Sequence, residues 1–230
     1  MRKKSGVYIS IVIPTLNEAE NIRKIITKVK EVIKSEKYEI IVCDGGSTDK
    51  TVKYARFAGA RVIIQGVDKG KGDALIKGFK AARGDIAISI DADMSNRPEE
   101  IRLMISALEI GYDICMGSRF ITGGGSEDIS VLRLFGNKFF VFLVNLIYRT
   151  KYTDLCYGYR AIKKSAISKL NLKSEGFGIE TEISIMAKKA NLDVIEIPSF
   201  EKSRESGESN LKTFRDGYII LRTIFACMFR

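Results

Sequence analysis

Between Tyr8 and Asp93 the chain alternates β-branched apolar runs with amphipathic segments, and this alternation limits the fold more than any other feature. "YISIVIPTLN" is a strand that stops at Pro14, and "EAENIRKIITKVKEVIKS" sets Ile22, Ile25, Ile26, Val29 and Ile33 at helical spacing. "YEIIVCDGGSTDKT" is a strand running into a turn, "TVKYARFAGA" a helix, "RVIIQG" a strand, "GDALIKGFKAARG" a helix and "DIAISIDAD" a strand. Strands separated by helices of about ten to fifteen residues predict a parallel, mostly buried sheet of the doubly wound α/β kind. Ligands on such sheets bind beyond the carboxyl ends of the strands, where the acidic turns of this chain fall.

From about residue 99 the pattern is mixed. "PEEIRLMISALEIG" reads as a helix, "YDICMGSRF" as a strand, "ITGGGSEDIS" as a loop and "VLRLFGNKFFVFLVNLIYRT" as a strongly apolar helical region. The helix "ETEISIMAKKAN", the strand "DVIEIPSFE", a polar loop and a final helix from Thr213 follow. No Pro/Gly/Ser linker divides the 230 residues, so one domain is expected. The uncharged run "FFVFLVNLIY", 139 to 148, is about half of the roughly 20 residues that a membrane span needs, so no spanning helix is expected. It reads either as a core helix or as a membrane-surface helix flanked by Arg133, Lys138, Arg149 and Lys151. The segment "GYIILRTIFACMFR", interrupted by Arg222, also fits a membrane surface, and the N-terminal run lacks the form of a cleavable signal.

The formal net charge of +10 favours an anionic partner. The chain contains no His, which excludes imidazole bases, His-ligated metals and Ser-His-Asp triads. Cys43, Cys115, Cys156 and Cys227 lie far apart, without the spacing of a zinc site or a disulfide framework. Any metal is therefore held mainly by oxygen.

"ISIDADMSN" places Asp91 and Asp93 directly after a buried strand. Two carboxylates so close need a positive partner, and a divalent ion that also grips a diphosphate, Mg2+ or Mn2+, suits their hard oxygens. The alternative is that both are turn or cap residues introducing the helix after Pro98. Asp44 in "CDGGSTD" suits hydrogen bonds from a base or ribose, with Gly45 and Gly46 keeping the backbone open; Ser47 or Asp49 as caps is the plainer reading. Glu18 beyond the first strand faces a ribose, or Asn17 merely caps a helix. "GKG" at 70–72 is not a P-loop, lacking both the earlier Gly and the following Ser or Thr, and starts the helix "DALIKGFKAA" instead.

Taken together, "IPTLNE", "CDGGSTD", "GKGDA" and "RGDIAISIDAD", in this order, resemble the donor half of an inverting family 2 glycosyltransferase of the GT-A fold, which implies a Rossmann-like, mostly parallel sheet flanked by helices. "MGSRF", "TGGG" with Arg133, "DLCYGYRAIKK" and "RESGESNL" resemble the polyprenyl-phosphate glycosyltransferases of the dolichyl-phosphate mannose synthase type, so that the likeness spans about 9 to 215. The resemblance implies a nucleotide-sugar half, 1–98, and an acceptor half, 99–230, whose amphipathic C-terminal helices face the membrane. It implies a donor site of Pro14, Leu16, Glu18, Asp44, Lys71, Asp91, Ala92, Arg204 and Ser209, and a metal site of Asp91, Asp93 and Ser95. Asp93 would serve catalysis together with Arg119 and Arg133, which grip the acceptor phosphate. Asp154 would orient the sugar or act as a base, unless it pairs with Arg160 or caps a helix. Two departures stand out: Ser95 replaces a Gln common in that family, and Asn210 follows Ser209 where Lys is usual.

The chemistry expected is transfer of mannose, glucose or N-acetylglucosamine from a GDP- or UDP-sugar to dolichyl or polyprenyl phosphate. The protein is expected to be peripheral on the cytoplasmic membrane face, with no nucleic acid partner. A phosphate monoester, with a second pKa of about 6, arrives already ionised, which agrees with the absence of His. The rivals are a family 2 enzyme with a soluble hydroxyl acceptor, a nucleotidyltransferase, and a basic module without catalysis. "PTLNEAEN" is not the Gly- and Arg-rich phosphate loop that a nucleotidyltransferase carries.

Overall fold

The computed structural model describes residues 7–66, 70–205 and 213–230. Its first part alternates as expected: β1 (Tyr8–Thr15), α1 (Ile22–Ile33), β2 (Lys37–Asp44), α2 (Thr51–Phe57), β3 (Arg61–Ile64), α3 (Lys71–Ala81) and β4 (Ile86–Ser89). Then come α4 (Ile101–Glu109), β5 (Ile114–Ser118), β6 (Gly125–Ser126), α5 (Val131–Tyr148), β7 (Arg160–Lys163) and α6 (Lys164–Leu170). The chain continues through α7 (Ile179–Lys189), β8 (Val194–Pro198), β9 (Phe200–Glu201) and α8 (Thr213–Ala226).

Seven strands form one sheet in the order β3-β2-β1-β4-β7-β5-β8, and β6 pairs with β9 beside it. β1 is buried on both faces from Ile9 to Ile13, as a central parallel strand between helical layers must be. α1 turns Ile22, Ile25, Ile26, Val29 and Ile33 onto this sheet, each contributing about 1.5–3 kcal/mol on full burial.

The sheet is mostly parallel, as expected, and is mixed only through β7. β7 runs antiparallel to both β4 and β5, which are thereby parallel to each other with β7 between them. The cause is the connection. β5 ends at the carboxyl edge, and residues 119–159, including α5, lead into β7 without returning the chain to the opposite edge. The next strand must then enter from the same edge and run backwards, because only a full crossover keeps strands parallel.

α5 decides between the two readings of the apolar run, core helix or surface helix. The helix is 18 residues long, and by length and composition alone it is apolar enough to cross a membrane, although the sequence reading confined the run to 139–148. It is not a core helix, since only 17% of it is buried. Val131, Leu132, Phe135, Phe139, Phe142 and Leu146 form an exposed stripe at helical spacing. The neighbouring α8 exposes Phe214, Tyr218 and Phe225 in the same way. Two adjoining helices thus share an outward apolar surface, while Val144, Ile220 and Ile224 face the core.

Candidate active site

The carboxyl edge of the sheet gathers the ends of β1, β2, β4, β5 and β8 with the start of β7, and a cavity of about 690 Å³ opens over it. Pro14, Leu16, Glu18, Lys71, Asp91, Ala92, Asp93, Ser95, Arg119, Arg133 and Arg204 all line this cavity. Eleven of the residues singled out from sequence therefore converge on one space. Asp44 and Asp154 do not line it, and Ser209 lies outside the described residues.

Asp91 and Asp93 sit in a loop that leaves β4 and reverses at Met94, a non-glycine residue in the left-handed region with φ 69°. Asn96 accepts the Asp91 N–H at 2.8 Å, and Asp93 Oδ1 accepts the Ser95 N–H at 3.1 Å, so the loop is fastened at both carboxylates. Their positive partners within the chain are Lys71, whose Nζ is 2.8 Å from Asp91 Oδ1, and Arg204, whose Nη2 is 2.9 Å from Asp93 Oδ2.

Lys71 is the first residue of α3, as expected of a "GKG" that opens a helix. A Cβ at Gly72 would lie 2.0 Å from the Ser174 carbonyl oxygen, so only glycine lets the helix start pack there. Lys71 is thereby held between Asp91 and Glu180, whose Oε1 is 3.1 Å from Nζ. Burial lowers the lysine pKa, but the two carboxylates outweigh it and keep the ammonium charged well above its ordinary range. Glu18 takes the Asn21 side-chain N–H at 2.8 Å, and burial raises its carboxyl above the ordinary value.

Asp44, buried at the end of β2, bonds within the turn that follows it. Its carboxylate accepts the N–H groups of Gly46 at 3.0 Å and Ser47 at 2.9 Å, together with the Ser47 hydroxyl. Gly46 has φ 92°, a conformation that this turn reserves for glycine.

Opposite this acidic loop stands Arg119, just past β5. Its Nε and Nη2 form a fork with Asp154 at 2.7 and 3.0 Å, and Nη1 reaches Glu201 at 3.0 Å. The guanidinium also lies over Tyr157, 4.8 Å from the ring centre. Burial acts against its charge, but Asp154 and Glu201 outweigh that effect and keep it protonated. The ion-pair partner of Asp154 is therefore Arg119; the expected alternative, Arg160, is buried among Ser184, Met116 and carbonyl oxygens instead. Burial pushes the Cys156 thiol up to about 12, so this cavity-lining sulfur is no nucleophile at neutral pH.

Sequence reasoning missed Glu180, Glu201, Tyr157 and Asn137. Glu180 reads as an ordinary acidic residue in the first turn of a helix, and Glu201 as the end of a strand. Asn137 reads as one polar residue in an apolar helix, yet its Oδ1 accepts the N–H groups of Leu155 and Cys156.

The residues fit a divalent ion of the Mg2+ or Mn2+ kind. Among the described residues no cluster of three or more Asp, Glu or Cys side chains forms a complete cage. Two loop carboxylates and a hydroxyl instead match an ion that completes its shell with water and a ligand's phosphates. Charge points the same way: among the described residues seven carboxylates line the cavity against four cationic side chains, a balance that a divalent cation beside a diphosphate would offset.

Residues 10–170 match the family described as Glycosyl transferase family 2. The chain belongs to this family. It is 34% identical over 211 residues to the dolichol-phosphate mannosyltransferase of Pyrococcus furiosus, covering 89% of this chain and 59% of that protein. It therefore spans well under two thirds of that relative. Glycosyltransferase AglJ of Haloferax volcanii is 30% identical, with 94% of this chain and 71% of that protein covered. In fold, this family 2 chain matches glucosyl-3-phosphoglycerate synthase from Mycobacterium tuberculosis, solved with Mn2+, UDP and glucosyl-3-phosphoglycerate. The TM-score is 0.77 at 22% identity, over 97% of this chain and 81% of that one. The mixed seven-stranded α/β sheet is thus that of the GT-A glycosyltransferases.

Proposed function

We propose that this chain is an inverting hexosyltransferase that moves a sugar from a GDP- or UDP-sugar to the phosphate of a dolichyl or other polyprenyl lipid. One observation carries the reading. A single cavity joins the Asp91–Asp93 loop to Arg119 and Arg133, and continues to Phe139, Phe140, Phe214 and Tyr218 on the two helices with exposed apolar stripes. An amphiphile with a phosphate head and an isoprenoid tail matches that succession; a soluble hydroxyl acceptor has no use for the stripes. α5 and α8 rest on the cytoplasmic face of the bilayer as a peripheral anchor, their apolar faces inward and Lys138 and Arg149 toward the headgroups.

The chain acts as one catalytic unit. The donor enters beside Pro14, Leu16, Glu18 and Ala92, and its diphosphate is held by Lys71 and Arg204. Asp91, Asp93 and Ser95 would hold the divalent ion, which would offset the charge of the leaving diphosphate. Arg119 and Arg133 receive the acceptor phosphate, and Asp154 fixes the Arg119 fork rather than touching the sugar. An ionised phosphate oxygen attacks the anomeric carbon from the face opposite the diphosphate. One C–O bond forms as the other breaks, with inversion and without a protein base.

Calorimetric titration with GDP- and UDP-sugars, each with and without Mn2+, followed by a transfer assay with polyprenyl phosphate, tests this. Metal-dependent binding of one nucleotide and transfer to the lipid are expected. No binding of any sugar nucleotide removes the donor site, and transfer to a hydroxyl acceptor alone replaces the lipid reading.

A further inference from the structure

Arg119 is already engaged before any acceptor arrives. One guanidinium faces two carboxylates, Asp154 and Glu201, so the group carries net negative charge where the proposed reading needs an anion to bind. The two carboxylates are not equivalent. Asp154 is 1% exposed and lies behind the arginine, away from the cavity, whereas Glu201 lines the cavity. Glu201 holds Arg119 by one contact, Nη1 to Oε2, against the two-point fork of Asp154.

Glu201 also has a second place to bond. The same Oε2 accepts the Ser126 hydroxyl at 2.5 Å. The Ser126 oxygen in turn accepts the N–H groups of Asp128 and Ile129, fixing the turn that leads into α5. If Glu201 leaves Arg119, the arginine keeps the Asp154 fork and its stacking on Tyr157, and the carboxylate keeps Ser126.

We propose that Glu201 is a placeholder for the acceptor's phosphate. It fills Nη1 of Arg119 in the free protein and gives way when a phosphate monoester binds, remaining on Ser126. The exchange keeps the Nη1 donor of a buried guanidinium bonded at every stage, because a buried donor left without a partner is costly. It also sets a threshold: a ligand must outcompete a carboxylate, which a dianionic monoester does better than a monoanionic diester. This inference rests on the acceptor role of Arg119 proposed above, and it names the residue that tunes acceptor affinity.

The test is calorimetry of farnesyl phosphate binding to the whole chain, as wild type, Glu201→Gln and Ser126→Ala. Glu201→Gln removes the competing charge and is expected to tighten binding about tenfold, as one charge at contact distance permits. Ser126→Ala removes the second resting place of Glu201 and is expected to weaken it, with nucleotide-sugar affinity unchanged in both. A merely structural role weakens binding in both variants. Unchanged or weaker binding in Glu201→Gln, or no binding to any of the three proteins, overturns the placeholder. Where Glu201→Gln does not fold, unchanged or tighter binding in Ser126→Ala overturns it. Binding that shifts as expected without sugar transfer to any polyprenyl phosphate leaves the placeholder standing and removes the proposed function. Transfer by the wild type with unaltered phosphate affinity in Glu201→Gln does the reverse.

Discussion

The two ends of the cavity carry the same charge pattern, one cation between two carboxylates, built with different cations. At the proposed donor end Lys71 lies between Asp91 and Glu180; at the proposed acceptor end Arg119 lies between Asp154 and Glu201. An ammonium is a point charge with rotatable donors, so the lysine balances charge without imposing a direction. A guanidinium is a planar fork, so the arginine, pinned by Asp154 and Tyr157, presents a fixed edge to whatever enters. Beside Lys71, Asp93 pairs with Arg204. The difference teaches that one end is arranged to neutralise a ligand and the other to aim it.

Asp93 offers the sharpest way to break this comparison. Asp93→Ala is expected to lower turnover about a thousandfold, the upper range for loss of a group that stabilises developing charge, with the melting temperature close to wild type. Wild-type turnover in that variant would remove the metal model. Lys71→Met leaves Asp91 and Glu180 facing each other without a cation. It is expected to cost about 3 kcal/mol in urea unfolding, as breaking a buried pair does.

Arg119→Lys keeps the charge and loses the fork. It is expected to lower kcat/KM for the lipid phosphate about a hundredfold, through misalignment, while the donor's dissociation constant stays unchanged. An equal loss of donor affinity would erase the distinction between the two ends.

The smallest expected effect concerns pH. Burial is the largest influence on Glu100, beneath the acceptor end, and raises its carboxyl above the ordinary 4.5 in spite of bonds from Ser199 and the Phe200 N–H. The folded protein then holds this proton more firmly than the unfolded chain. Its contribution to stability is present at pH below 4.5 and is lost as pH rises through the raised folded value. Glu100→Gln should flatten that decline in urea unfolding measured from pH 4 to 7, whereas an unchanged slope would assign it to Glu18 and Glu196, the other carboxyls that burial raises.

The donor half was legible because its pattern is local. Strand-helix alternation can be read from neighbours along the chain, and each acidic turn directly follows its own strand. The direction of β7 was not legible, because it depends on which edge of the sheet the chain stands at after α5. For Asp154 the sequence offered Arg160, six residues away, as one alternative partner, whereas the fold supplies Arg119 from 35 residues earlier. The segment 139–148 was apolar on inspection, yet apolarity alone does not say whether a helix faces a core or the outside. Glu180 and Glu201 carried no signal, since an acid in a first helical turn or at a strand end is ordinary on the surface.

The sequence by itself determined the α/β alternation, the acidic loop after β4 and the exclusion of imidazole chemistry, because these follow from residue type and short-range spacing; Arg119 and Arg133 stood out only through the family resemblance. Only the tertiary structure decided that β7 reverses the sheet, that α5 and α8 turn their stripes outward, and that Lys71 and Arg119 are each shared by carboxylates distant in the chain. Charge pairing inside a protein is set by which strand ends meet at one edge, and that meeting is a property of the packed sheet rather than of any segment within it.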